Sequence, residues 1–513
     1  MNIKTILSKK ILWLGVVIIP LAAISTKAEL GNSDSSYTAI IPTKTNTCNC
    51  YATDSTSYIL PITFHNIVPG DLFTFNHQIL ADCFAWQQFI SLNWPTNPSS
   101  DFGTPHDYSF VQWETYMHRE VMFKDDGSRP PAWGTMVSDE YSRMFKTQKL
   151  LFNKTDTKLL TFVNKIEENG AAITFTPDQA SPVGKPSWLG AQNFTNLWYE
   201  IMLNKDYYDF IVEKGFYNAK VQHDTIKRNL PINFPQGEYN GIVGAIELKA
   251  AWMEVVKPEL SKWKRYKLSK AIVLDPITRR LRRTVVALVG LHILHKTQNQ
   301  PTWVWATFEH IDNVPDRDNL NTASAPPDGY NFYNPKCKDR EVKIRTPNGD
   351  SLVIVPCIPN TPPLYYLNQA GPVPIQTVRV NSIDKNNAAP INALMQRKIK
   401  KFYPNSVWQY YELIDVIWSQ SIQPDPTVPI RVPRNINRST MLSGAGTVIA
   451  NSTMETYVQS TKTCFDCHIF STIAPYSRDT INNSKFGDFS FALTFAKYPA
   501  AKSDYLKKMK KKK

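Results

Sequence analysis

The stretch Thr463-Cys464-Phe465-Asp466-Cys467-His468 holds residues whose types and spacing could do chemistry. Two thiols lie three positions apart, and an imidazole follows the second at once. On a turn of helix, positions three and four apart share a face. Both sulfurs can then reach the two vinyl groups on one edge of a haem, while His468 swings its ring under the iron. The pattern C-x-x-C-H therefore reads as covalent attachment of one haem c. Cys464 and Cys467 are the expected thioether anchors, and His468 the expected proximal iron ligand. The competing readings are a redox dithiol and half of a zinc site. A redox pair is expected beside a βαβ pattern, and zinc needs four ligands, usually as two pairs. The chain holds no second C-x-x-C and no close Cys/His pair.

What stands opposite His468 decides what such an iron could do. Beyond His468 there is no histidine, and the one methionine is Met509 in a run of lysines. A strong distal ligand must come from upstream: His292, His295, His310, Met253, Met441 or Met454. His292 and His295 are three apart on a predicted strand, so they point to opposite faces. A partner strand brings Glu309 and His310 into the same sheet. Met454 precedes the haem motif by a short stretch. With the distal position filled, the chain would relay single electrons to a redox partner protein. With it open, the chain would be a haem-dependent oxidoreductase, peroxidase-like or other, needing a distal acid/base such as Glu309, His310 or His292. A third reading is a large binding domain carrying a haem for sensing. Relay is the narrowest of these, because every residue it requires is visible.

Stepping outward, the N-terminus carries Lys4, Lys9 and Lys10 before an apolar run from Ile11 to Ile24, with small residues near Ala28. This reads as a secretory signal peptide over 1–28, and hence as export to the periplasm or cell envelope. No later stretch reaches membrane-spanning length. The net charge of +14 is concentrated at the ends. Setting aside four lysines in 1–28 and six in the tail from Lys507 leaves +4 for the body. The tail reads either as a contact for an acidic partner or lipid headgroups, or as a solvated end. No basic-aromatic strip points to nucleic acid.

The other cysteines fit an exported chain. Cys337 and Cys357 flank a hairpin whose turn is Pro347-Asn348-Gly349-Asp350, so a Cys337–Cys357 disulfide closing its base is expected. Cys83 is expected to pair with Cys48 or Cys50. Helical patterns are predicted over 82–94, around Trp113 to Val121, over 196–216 and over 393–402. Strands are predicted over 241–249, 266–274, 283–295, 302–311 and 406–418. Ser452-Thr453-Met454-Glu455 is a capping-box pattern, predicting a helix before the haem motif. Phe486, Phe489, Phe491 and Phe495 offer an apolar cover for a porphyrin. Together these give an α+β fold: a helical N-terminal part, an antiparallel β-sheet in the middle and a small, mostly helical C-terminal haem-attachment segment. The expected organisation is a loosely structured leader at 29–70, an α+β domain at 71–440 and a haem-bearing segment at 441–513.

Phe84-Ala85-Trp86-Gln87-Gln88-Phe89 with Leu92-Asn93-Trp94-Pro95, Glu247-Leu248-Lys249-Ala250-Ala251-Trp252, Trp303-Val304-Trp305-Ala306-Thr307-Phe308-Glu309-His310 and Met454-Glu455-Thr456-Tyr457 before the haem motif resemble a group of exported single-haem cytochrome c family proteins. The resemblance extends over most of the chain beyond the signal. It implies haem and export, and supplies no substrate.

Overall fold

A computed structural model describes residues 46–50, 60–162, 189–275 except 229, 280–320, 324–346, 349–355, 357–361, 372, 374–419, 441–443, 449–460, 464, 468, 471–475 and 486–499. The predicted signal peptide, Cys467, the Pro347-Asn348 half of the predicted turn and the lysine tail lie outside them. All described residues belong to the unit 41–513.

The elements in chain order are β1 (Asn46–Cys50), β2 (Leu60–Phe64), α1 (Gln78–Leu92), β3 (Met117–His118), α2 (Arg119–Met122), α3 (Asp139–Thr147), β4 (Thr157–Leu160), β5 (Leu197–Leu203), α4 (Lys205–Lys214), α5 (Ala219–Lys227), β6 (Ile246–Glu254), β7 (Leu268–Leu274), β8 (Leu281–His295), β9 (Val304–His310), β10 (Arg340–Thr346), β11 (Gly349–Val355), α6 (Ala388–Phe402), β12 (Tyr411–Ser419) and β13 (Met441–Ser443). Nine of the strands form one mixed sheet in the order β13-β12-β9-β8-β6-β5-β3, with β7 on β8 and β4 parallel to β7. β7 and β9 share one edge of the long β8, end to end, with β6 on its other edge. The Tyr411 hydroxyl closes the gap, accepting from Lys267 N (3.1 Å) and donating to Leu288 O (2.9 Å).

This mostly-β architecture overturns the expected α+β layout. The N-terminal part is not mainly helical: the segment around Trp113 to Val121 is a 3-10 turn, a two-residue strand and one turn of helix, and 196–216 divides into β5 and α4. The reason is burial on both sides. Every residue of β5 is buried, as is every residue of β6 and β9. A strand covered on both faces loses its period-2 alternation and reads as a continuous apolar run. Asn204 is the punctuation between strand and helix, its Oδ1 accepting from Tyr207 N (3.1 Å) and Ile246 N (2.9 Å).

One sheet face is covered by α1 and α6, with Trp86, Phe89, Phe308, Leu291 and Trp408 in its core. The other carries Trp305, Leu294, Ile201 and Ile417, and beyond them Tyr199, Met253 and Val289. The described stretches 449–460 and 486–499 lie on this second face as irregular chain, not as the expected helices. Residues 449–460 are turns, and the described part of 486–499 holds only a 3-10 turn. The capping-box pattern fails because the sheet supplies better partners. Glu455 accepts from Asn451 N (2.9 Å), while Asn451 donates to Thr307 Oγ1 (2.9 Å) and Phe308 O (3.0 Å). Gly290 permits this approach: a Cβ there would meet Thr453 Oγ1 at 2.3 Å.

Within 29–70, β1 and β2 pair as a hairpin tied to α1 by a Cys50–Cys83 disulfide. Cys337 and Cys357 are joined across the base of β10–β11. Among the described residues no helix is long and apolar enough to cross a membrane.

Asp82 lies fully buried in α1 beside Asp415, and Gln78 Nε2 donates to both carboxylates at 2.9 Å. Burial first, and then Asp415, push the Asp82 carboxyl well above its usual range. A carboxyl raised in the folded state contributes stability below the unfolded value, and loses it as pH rises through the folded value. Asp82→Asn mimics the protonated acid. It should therefore raise the thermal unfolding midpoint at neutral pH, with the gain vanishing below the ordinary aspartate range. An equal midpoint change at every pH would contradict a protonated Asp82.

Candidate functional site

Cys464 and His468 are both in helical conformation, four residues apart, and both half-buried. The shared face expected for the motif is therefore present at these two positions. His468 Nδ1 lies 2.8 Å from Phe489 O. A carbonyl only accepts, so Nδ1 carries the proton, and in the neutral tautomer the lone pair stands on Nε2. Trp305 of β9 and Phe491 hold the imidazole edge-on, at ring distances of 4.7 and 5.1 Å. Cys464 packs against the apolar cluster that contains Trp305, Ile449, Phe486, Phe489 and Leu493. Of the four phenylalanines expected as a cover, Phe486 and Phe489 are core, Phe491 meets His468, and Phe495 lies under the Arg119 guanidinium at 3.8 Å.

Strand parity sorts the upstream candidates. Trp305, Thr307 and Glu309 of β9 face the C-terminal segment, and His292 pairs with Thr307 on the same face. His295 and His310 face the other way. His295 is buried against α1, with Nε2 2.6 Å from Val243 O and Nδ1 2.8 Å from the Gln88 side-chain amide. Burial lowers its pKa to about 4, so the ring is neutral; its Nε2–H donates to Val243 O, and the Gln88 amide, placed with Oε1 toward Nδ1, would donate there once turned to present its nitrogen. His310 stacks on Tyr266 at 3.7 Å, donates from Nε2 to Arg265 O (3.1 Å) and accepts at Nδ1 from Asp312 N (3.1 Å). Burial holds it neutral as well, with a pKa near 3. Neither ring shares a sheet face with His468. His292 does, and its Nε2 lies 3.3 Å from Glu455 Oε2.

Comparison with family models, curated proteins and solved structures finds no match. The local chemistry must therefore speak for the site.

Glu309 is fully buried and accepts from both the backbone and hydroxyl of Ser452, with Arg379 at 3.5 Å. It anchors the C-terminal segment to β9. Met454 is fully buried in the cluster of Tyr199, Met253 and Val289, which also holds Met253. The side chain of Met441 lies outside the described residues. Among the described residues no three His, Cys, Asp or Glu come together as a metal site. A haem requires no such group, since the porphyrin itself supplies four nitrogen ligands. The donor set present fits one: a thiol and an imidazole on one helical face, with the imidazole's outer nitrogen committed to a backbone carbonyl. Sequence reasoning missed Trp305 and the Phe489 carbonyl as partners of His468. Trp305 lies in a quoted aromatic stretch, whereas a backbone carbonyl leaves no mark in a sequence.

Proposed function

We propose that the chain is an exported c-type cytochrome that carries one covalent haem near its C-terminal end and passes single electrons to a redox partner protein. The observation that carries this reading is His468 in the haem motif with Nδ1 committed to Phe489 O (2.8 Å). Cys464 and Cys467 would form the thioethers, and His468 would hold the iron axially. When bound, the haem would supply an iron(III)/iron(II) couple. The Phe489 carbonyl fixes the imidazole's tautomer and raises its basicity, which favours the oxidised state. Trp305 and Phe491 meet the imidazole edge-on and set its plane. His292, on the same sheet face, is the histidine that supports either a distal ligand or, paired with Glu455, an acid/base role in the oxidoreductase reading.

The chain should be produced in a host that attaches haem c, and its visible spectrum recorded oxidised, reduced and with carbon monoxide. Relay predicts a low-spin spectrum that carbon monoxide and cyanide leave unchanged. Ready binding of these ligands by a high-spin iron would replace relay with the oxidoreductase reading. Absence of covalent haem would overturn both.

A further inference from the structure

Asp488 and Phe489 sit in succession in the left-handed region, at φ 49° and 66°. An aromatic residue adopts that conformation only where its surroundings impose it. Here they do so from three sides. The Asp488 carboxylate pairs with Lys296, at the end of β8, and both side chains are fully buried. The same carboxylate accepts from Phe234 N (2.7 Å), and the Asp488 carbonyl accepts from Trp303 Nε1 (2.9 Å). Lys296 Nζ also donates to Asn233 Oδ1 (2.7 Å). The next carbonyl along the chain is that of Phe489, the one that receives His468 Nδ1–H.

We propose that the buried Lys296–Asp488 pair is the positioning device for His468, holding the left-handed Asp488–Phe489 turn so that the Phe489 carbonyl meets Nδ1. An ion pair in this location is otherwise hard to account for. Apolar residues of similar volume would stabilise a core as well or better, so such a pair serves geometry more than stability. The pair lies on the sheet and the imidazole on the C-terminal segment, and the strained turn is the rigid link between them. Lys296 and Asp488 are positioning residues, acting on His468 through the Phe489 carbonyl. The proposal rests on the cytochrome reading only where it speaks of the haem potential. Its statement about the imidazole holds for the bare chain.

The test uses the full chain at one fixed pH in three forms: wild type, Lys296→Met, and Lys296→Met with Asp488→Ala. The double variant removes both charges together, so no buried ion is left alone if the single variant fails to fold. In the haem-free protein, nitrogen-15 spectra of His468 should show the Nδ1–H tautomer in wild type and loss of that preference in the variants, with far-ultraviolet circular dichroism unchanged. In the haem-loaded protein, the midpoint potential should shift upward in the variants, because a weakened Nδ1–H bond makes the ligand less basic. A folded double variant that keeps the wild-type tautomer overturns the positioning role and leaves the cytochrome reading standing. A variant that loses the tautomer while wild type acquires no haem does the reverse.

Discussion

Replacing Cys464 and Cys467 together with alanine should yield a chain that retains no haem through a denaturing gel, while Cys48→Ala retains all of it. The contrast follows from where the seven thiols are. Four are spent in the Cys50–Cys83 and Cys337–Cys357 disulfides. Cys48 is buried on β1, and burial pushes its thiol up to about 11, only partly opposed by Lys398. A thiol kept protonated and shielded is a poor nucleophile. Cys464 is half-exposed and shares a helical face with His468. Each single variant keeps one possible thioether, so haem staining should fall in both and vanish only in the pair. His468→Ala should spare the thioethers but convert the spectrum to one that binds carbon monoxide. Full staining in the double variant would place the haem elsewhere and end the attachment reading.

The parts of this site legible in the sequence are those fixed by local spacing. C-x-x-C-H needs only a turn of helix, and strand parity alone separates His292 from His295. The hairpin joining Cys337 to Cys357 follows from two β-rich runs about one turn. The unreadable parts are set by distant residues. β5 hides its strand character because both of its faces are buried, Trp198 and Met202 in one core cluster and Leu197 and Tyr199 in another with Met454. Ser452 and Glu455 fit a helix-start pattern, yet the backbone there is drawn down onto Thr307, Phe308 and Glu309, and Gly290 makes room for it. A capping box gains two hydrogen bonds, and the sheet offers more. The described apolar residues around the motif, Cys464, Phe486, Phe489 and Leu493, pack with Leu294 of β8 and Trp305 of β9, partners that no local pattern announces.

Lys158→Met should be the most damaging single change in the core, costing about 3–5 kcal/mol at neutral pH, measured by denaturant unfolding. Nothing in Thr157-Lys158-Leu159-Leu160 announces this, since a lysine on a short strand reads as solvent-facing. Its side chain is only 1% exposed, and its ammonium lies 3.0 Å from Glu114 Oε1 and 2.8 Å from Glu200 Oε1. Trp113 and Trp252 place their rings 4.8 Å away. Glu114 is further bound by Lys267 (3.2 Å) and Ser269 (2.8 Å), and Glu200 by Trp252 Nε1 (2.7 Å). Burial acts to raise the Glu114 carboxyl, but Lys158 and then Lys267 outweigh it and hold it below the usual range. For Glu200 burial prevails, with Lys158 only offsetting part of it, and the carboxyl is raised. Glu114 thus contributes stability above its unfolded value, lost as pH falls through the folded one. Methionine keeps the apolar stem and removes the charge, leaving two buried carboxylates with one cation. Both would then take up protons more readily folded than unfolded, so the deficit should narrow as pH falls through the ordinary glutamate range. A deficit of the same size at acidic and neutral pH would mean that Lys158 acts through packing, and that the buried charges on this sheet face do not depend on it.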